Sequence, residues 1–121
     1  MMGVIRIKRI YDPFAETDGT RVLVDRIWPR GVSKDAAKLD LWMKDVAPST
    51  ELRTWFGHDP SRFKTFAERY RKELRAHPDG VSKLREITSR GDVTMLYAAR
   101  DREVNHAVVL AQILGAQSRD D

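Results

Sequence analysis

Cysteine is absent from the 121 residues. With it go disulfides, a thiolate nucleophile and any cysteine-held zinc. That absence suits a reducing compartment. Long apolar runs are missing as well. The opening stretch Met1-Met2-Gly3-Val4-Ile5-Arg6-Ile7-Lys8-Arg9 is too short and too interrupted by charge for a signal peptide, and nothing approaches a membrane span. The expected location is the cytoplasm, with no membrane partner. Phosphate loops, a Gly-x-Gly-x-x-Gly turn after a strand and a Gly-x-Ser-x-Gly elbow are all lacking. So are a recognition helix and the aromatic-basic pattern of an RNA recognition motif. His58, His77 and His106 do not have the spacing of metal ligands. No metal and no cofactor are expected.

What is present is the composition of a globular chain, 41% hydrophobic and 33% charged. The length fits one domain over residues 1–121. A chain of this size buries roughly two-thirds of its unfolded surface, enough for a core without crosslinks. Lysine and arginine number 22 against 18 acidic residues, a net charge of +4. The isoelectric point is near 9.6. That balance is compatible with a polyanionic partner, although a mixed-charge solvated surface accounts for so small an excess.

Periodicity sets the order of elements. Ile5, Ile7 and Ile10 alternate with Arg6 and Lys8, which predicts a strand over 3–10. A turn-rich segment with Pro13 and Asp18-Gly19 follows, then a second strand over 21–28. Ser33 caps a short helix, Pro48-Ser49 opens another, and Asp59-Pro60 starts a long one with Phe63, Phe66, Tyr70 and Leu74 on one stripe. Asp79-Gly80 is read as its break. Val81, Leu84 and Ile87 mark a shorter helix ending at Gly91. The run 93–99 has the near-continuous apolar character of a buried central strand. A last helix is expected from Asp101. The long helical crossover favours parallel pairing. The expected fold is α/β: a small, mostly parallel sheet of about three strands packed with helices, three-layer-like. The short link between the first two strands leaves a hairpin open there.

Each expected strand runs into polar residues, and parallel strands would bring these to one rim, where open α/β sheets bind ligands. The candidates are Tyr11; Asp25, Arg26 and Arg30; Arg100 and Asp101; and His106. Arginine forks suit phosphate or carboxylate, and a helix N-terminus beside them adds partial positive charge. Arg26, Arg30 and Arg100 are assigned to the anion, with Tyr11 and His106 as further ligand contacts. Asp25 and Asp101 are assigned acid/base roles. Trp28 has a face on which a ring could stack. Plainer readings stand beside these. Asp25-Arg26 is equally a structural ion pair, Asp101 reads more simply as an N-cap, and His106 as a packed histidine. The three tryptophans read as core anchors, and His58-Asp59 as turn and cap.

The runs Lys8-Arg9-Ile10-Tyr11-Asp12-Pro13, Val24-Asp25-Arg26-Ile27-Trp28-Pro29-Arg30-Gly31, Trp55-Phe56-Gly57-His58-Asp59-Pro60 and Tyr97-Ala98-Ala99-Arg100-Asp101 resemble the YeaO-like group of domain-of-unknown-function family 488. The resemblance spans nearly the whole chain. It implies a compact cytosolic prokaryotic protein and brings no reaction. Many wider relatives carry Cys-His-Arg at the start of the last helix, where this chain reads Asn105-His106-Ala107. Cysteine chemistry is therefore lost at that point. The family's recurrent polar residues fall on Asp25, Arg26, Arg30, Arg100 and Asp101. Two functions follow as expectations: binding or turnover of a phosphorylated or otherwise anionic small molecule, a nucleotide among them, or a nucleic-acid-binding accessory role. Oligomeric state is left open.

Overall fold

The computed structural model describes residues 3–119. Its strands are β1 (Ile5–Arg9), β2 (Thr20–Leu23), β3 (Leu41–Trp42) and β4 (Val93–Tyr97). Its helices are α1 (Lys34–Ala37), α2 (Thr50–Phe56), α3 (Phe63–Ala76), α4 (Asp79–Arg90) and α5 (His106–Arg119). The strands form one sheet in the order β1-β4-β2-β3, and every pairing is parallel. The fold class is therefore as expected, with four strands rather than about three. The added strand, β3, is two residues long, too short to show an alternation. The hairpin alternative is excluded, because β4 lies between β1 and β2 and parallels both.

The sheet has unequal faces. Ile5, Ile7, Val22, Val93, Met95 and Tyr97 point toward α2–α5 and form the main core with Phe56, Phe66, Leu84 and Leu110. The opposite face carries a smaller cluster of Ile10, Leu23, Ala37 and Leu96, covered by α1 and the loops around it. The connections from β1 to β2 and from β2 to β3 step across the sheet on this thin side. The long α2–α4 connection steps back on the other. All the crossovers thus share one hand, as parallel units do.

Between β1 and β2 there is only a 3₁₀ turn, Glu16–Asp18, and ions fill part of the thin face. Asp18 and Arg21 are each only 2% exposed and are hydrogen-bonded to one another. Lys8 Nζ reaches the Asp18 carboxylate at 3.0 and 3.1 Å, and the Ala15 N–H donates to it at 3.1 Å. Arg21 also donates to the carbonyls of Lys38 and Ala37, at 3.1 and 2.9 Å. The Asp18 carbonyl accepts the Thr94 hydroxyl at 2.8 Å. Burial alone would raise the Asp18 carboxyl, but the hydrogen bonds from Lys8, Ala15 and Arg21 bring it below its ordinary value. Gly19 follows with φ +66, and a Cβ there would sit 2.2 Å from the Asp92 carbonyl oxygen, so only glycine lets the chain turn into β2.

Helix starts follow the sequence. Ser33 and Ser49 cap α1 and α2 by accepting the N–H groups of Ala36 and Leu52. Asp59 caps a single 3₁₀ turn, Pro60–Arg62, that leads into α3. Asp79-Gly80 opens α4 instead of merely breaking α3, and Gly80 lies against Val46 so closely that a Cβ would fall 2.5 Å from Cγ1. The second strand ends sooner than expected. The Val24 N–H still bonds the Leu96 carbonyl, and beyond it the chain leaves the sheet. The last helix begins at His106, not Asp101.

Removing one member of a buried ion pair strands its partner, at a cost of about 3–5 kcal/mol. Asp18→Ala should lose about that much stability in urea unfolding. A loss below about 1 kcal/mol would show that Arg21 and Lys8 find other partners.

Candidate functional site

Because all strands run one way, their carboxyl ends share a rim. At β2 and β4 the chain departs in opposite directions: β2 leads to α1 on the thin face, and β4 leads to α5 on the thick one. Such a divergence opens a crevice between neighbouring strand ends. A cavity of about 780 Å³ lies there. Every expected site residue lines it: Tyr11, Asp25, Arg26, Arg30, Arg100, Asp101 and His106.

The acidic residues are occupied by the backbone. Asp25 Oδ2 accepts the Ala98 N–H at 2.9 Å, tying the end of β2 to that of β4. Asp101 Oδ1 accepts the N–H groups of Glu103 and Val104, at 2.8 and 2.9 Å. These bonds hold the Asp101 carboxyl below its ordinary value. Asp101 therefore caps the turn before α5. The helix itself is capped by the buried Asn105, whose Oδ1 accepts the Val108 N–H at 3.0 Å and whose Nδ2 donates to the Asp101 carbonyl at 2.8 Å.

His106 opens α5 with its ring largely buried. Its Nε2 lies 3.0 Å from the Val24 carbonyl and 3.2 Å from Asp25 Oδ1. Both neighbours are acceptors, so this nitrogen carries the proton. The proton is directed at Val24. Asp25 Oδ1 makes no hydrogen bond and is only an ionic neighbour.

The cations are treated differently. Arg26 is anchored, its Nε and Nη2 donating to the Pro48 and Ala47 carbonyls at 3.2 and 3.3 Å. It is not paired with Asp25. Arg30 and Arg100 are exposed, and their guanidinium groups have no partner among the described residues. Arg53 joins them, a half-buried α2 residue on the cavity wall with its guanidinium also unpartnered among the described residues. The sequence reading did not include it. Nothing local separates Arg53 from a solvated helix arginine; only the packing of α2 over the rim turns it inward. Tyr11 gives its hydroxyl to the Arg30 carbonyl at 2.8 Å and its ring face to Arg9. Trp28 packs edge-on to Trp42 with centroids 5.2 Å apart and donates to the Val32 carbonyl at 2.6 Å, an anchor that also forms cavity wall.

Sorting by burial gives the cavity a polarity. Phe56 and Phe66, 5% and 1% exposed, stack at 4.2 Å in its floor beside Ala47 and Pro48. Arg30, Arg100, Tyr11 and His58 stand at its mouth. His58 has φ +57 directly after Gly57 at φ +53, so a non-glycine residue is held left-handed at the rim. Among the described residues no group of histidines and acids is arranged to hold a metal, and no helix is long and apolar enough to cross a membrane.

Residues 4–121 match the family described as the inactive DUF488-N3 subclade. The chain is 47% identical over 113 residues to an uncharacterised protein of Mycobacterium tuberculosis, covering 93% of this chain and 95% of that one. An uncharacterised protein of Mycobacterium bovis matches to the same extent. The uncharacterised protein YeaO of Escherichia coli is 44% identical over 110 residues, covering 91% of this chain and 96% of its own. No solved structure matches.

The loops that carry Tyr11 and Arg100 are joined by Asp12 and Arg102, bonded in parallel at 2.8 Å twice. The Arg102 bonds hold the Asp12 carboxyl down at about 2. A depressed carboxyl contributes stability that is present above its unfolded value, near pH 4, and is lost as pH falls toward 2. Wild type should therefore be more stable than Asp12→Asn at pH 6, and the gap should close near pH 2. A gap that stays constant in urea midpoints across that range would remove the ion pair as its cause.

Proposed function

The chain belongs to the inactive DUF488-N3 subclade, and from that premise we propose a binding role: the rim cavity takes a phosphorylated or otherwise anionic small molecule. One observation carries this reading. Arg30, Arg53 and Arg100 face the cavity without partners among the described residues, while its carboxylates Asp25 and Asp101 are already engaged by backbone N–H groups. Four arginines in a concave site that holds two carboxylates leave a cationic excess, which favours an anionic ligand. Arg26 holds the 47–48 backbone in place beneath them. Asp25 and Asp101 act in this reading by positioning the strand-end loops, not by acid/base chemistry. The description of the subclade as inactive agrees with binding rather than turnover.

A thermal-shift screen tests the reading. Its panel holds inorganic phosphate, sugar phosphates, nucleotides and short oligonucleotides. Ligands that bind the folded state raise the melting temperature by mass action. Phosphorylated small molecules should give the largest shifts. Arg100→Ala and Arg30→Ala should each weaken binding about tenfold, consistent with a lost charge-assisted bond of about 1.5 kcal/mol. Both variants should keep wild-type stability to within about 0.5 kcal/mol, since neither side chain has a structural partner. Shifts confined to oligonucleotides and abolished by salt would favour a nucleic-acid role instead. Binding unchanged in both variants would remove the arginines from the site.

A further inference from the structure

We infer that two copies of this chain join through the outer edge of β1, making one continuous sheet across a two-fold axis. The inference is independent of the anion reading. In a parallel ladder the backbone groups of alternate residues point to opposite sides of the strand. The Val4 carbonyl accepts the Val93 N–H at 2.9 Å, and the Ile10 N–H donates to the Tyr97 carbonyl at 2.8 Å. Arg6 and Lys8 share that parity and face β4. Gly3, Ile5, Ile7 and Arg9 therefore turn their N–H and C=O groups away from it. Both ends of this row are closed. The Gly3 N–H donates to the Thr88 carbonyl at 2.8 Å. The Arg9 N–H donates to Asp12 Oδ2 at 3.1 Å, and the Arg9 carbonyl accepts the Asp12 N–H at 3.0 Å. Between them the backbone groups of Ile5 and Ile7 have no hydrogen-bond partner among the described residues.

An open edge is a template for another strand, and monomeric sheets protect it, often with charged side chains. Here the charges are drawn away. Lys8 Nζ reaches under the sheet to Asp18 and to the Pro13 carbonyl at 2.7 Å. Arg6 donates to the Thr17 carbonyl at 2.9 Å and lies 3.4 Å from Asp92. The apolar Val4 beside them is 53% exposed. The other edge of the sheet, β3, is only two residues long and offers no comparable row.

The open row is complementary to itself. In an antiparallel pair about a two-fold axis at Arg6, Ile5 of each copy lies opposite Ile7 of the other, and every open N–H meets an open C=O. Arg6 comes opposite its counterpart on the thin face, where each guanidinium is already turned to its own Thr17 and Asp92.

Helix α5 favours a second copy over a lone added strand. It packs on β1 and has no Asp, Glu, Lys or Arg between Glu103 and Arg119. Outward positions of α3 and α4 are charged, among them Lys64, Glu68, Lys83 and Glu86. A helix without a charged face is one that is covered. Yet Val108, Ala111, Ile113 and Gly115 are each partly exposed. A lone strand beside β1 would bring nothing to cover them. A second copy brings its own α5, and the two-fold axis sets both helices on the same side of the joined sheet.

Sedimentation equilibrium of the full chain over a concentration series, paired with amide hydrogen exchange, tests this. The expected species has twice the 13.9 kDa mass of one chain. In it the Ile5 and Ile7 N–H groups should exchange slowly, as bonded amides of a sheet do. Val4→Lys sets a charge on the open edge, opposite the second copy's Lys8, and should raise the dissociation constant at least about tenfold. Because the Val4 side chain is exposed, the variant should keep the wild-type circular dichroism. A chain that stays monomeric throughout the series would overturn the inference. So would a dimer whose Ile5 and Ile7 amides exchange freely, or one that Val4→Lys leaves as tight as before, since either would be using another face.

Discussion

The buried bond between Asp18 and Arg21 is the constraint on which this architecture leans. The chain passes from β1 to β2 across the face of β4 with only a three-residue 3₁₀ turn, Glu16–Asp18, on the way. An apolar cover would need more side chains than that connection owns. A charge cluster replaces it, in which Lys8, Asp18, Arg21 and Thr94 satisfy one another and hold the carbonyls of Ala37 and Lys38. Ion pairs of this kind add little net stability compared with an apolar filling, and their directionality fixes one arrangement. Here the arrangement fixed is the placement of β1 and β2 on either side of β4. In that order every pairing is parallel, and every carboxyl end reaches the same rim.

The two groups of charges are consequently separated along the strands. On the thin face Lys8 and Arg21, within the strands, share the buried Asp18 carboxylate. At the carboxyl rim Arg30, Arg53 and Arg100 pair with no acid among the described residues. Asp25 joins β2 to β4 through the Ala98 N–H, and His106 joins both to α5 through Val24. The rim is thus rigidly positioned even though it consists of loops. Its surplus is cationic, since Arg26, Arg30, Arg53 and Arg100 outnumber the carboxylates Asp25 and Asp101 on the cavity wall. Unpaired like charges in one concavity repel each other, and an anion that relieves the repulsion gains affinity from it.

The rim was legible in the sequence because parallel strands convert a one-dimensional feature, the polar residues after each apolar run, into a three-dimensional cluster. Tyr11, Asp25, Arg30, Arg100 and His106 needed only strand direction to be brought together. What escaped the sequence depended on non-local packing. Arg53 looks like any helix-surface arginine until α2 is laid across the rim. Strand β3 has two residues, too few for a period. The expected second strand overruns the observed one because Val24 to Trp28 keeps an apolar alternation after the ladder has ended at Leu23. There the Asp25 side chain, not its backbone, accepts the next N–H of β4. The start of the last helix was misplaced by the same ambiguity, since Asp101 is a capping residue of a turn and Asn105 of the helix.

Asn105 also bears on what the cavity does. At this position the resemblance to the wider family places a cysteine, a group able to supply a nucleophile. In this chain the residue is 2% exposed and both ends of its amide are used, one for the Val108 N–H and the other for the Asp101 carbonyl. A thiol could make neither bond with comparable strength. The substitution therefore exchanges a reactive group for one that stiffens the turn between β4 and α5. That turn carries Arg100 and Asp101 and opens onto His106, so the amide holds the rim loop in place where a thiol would not.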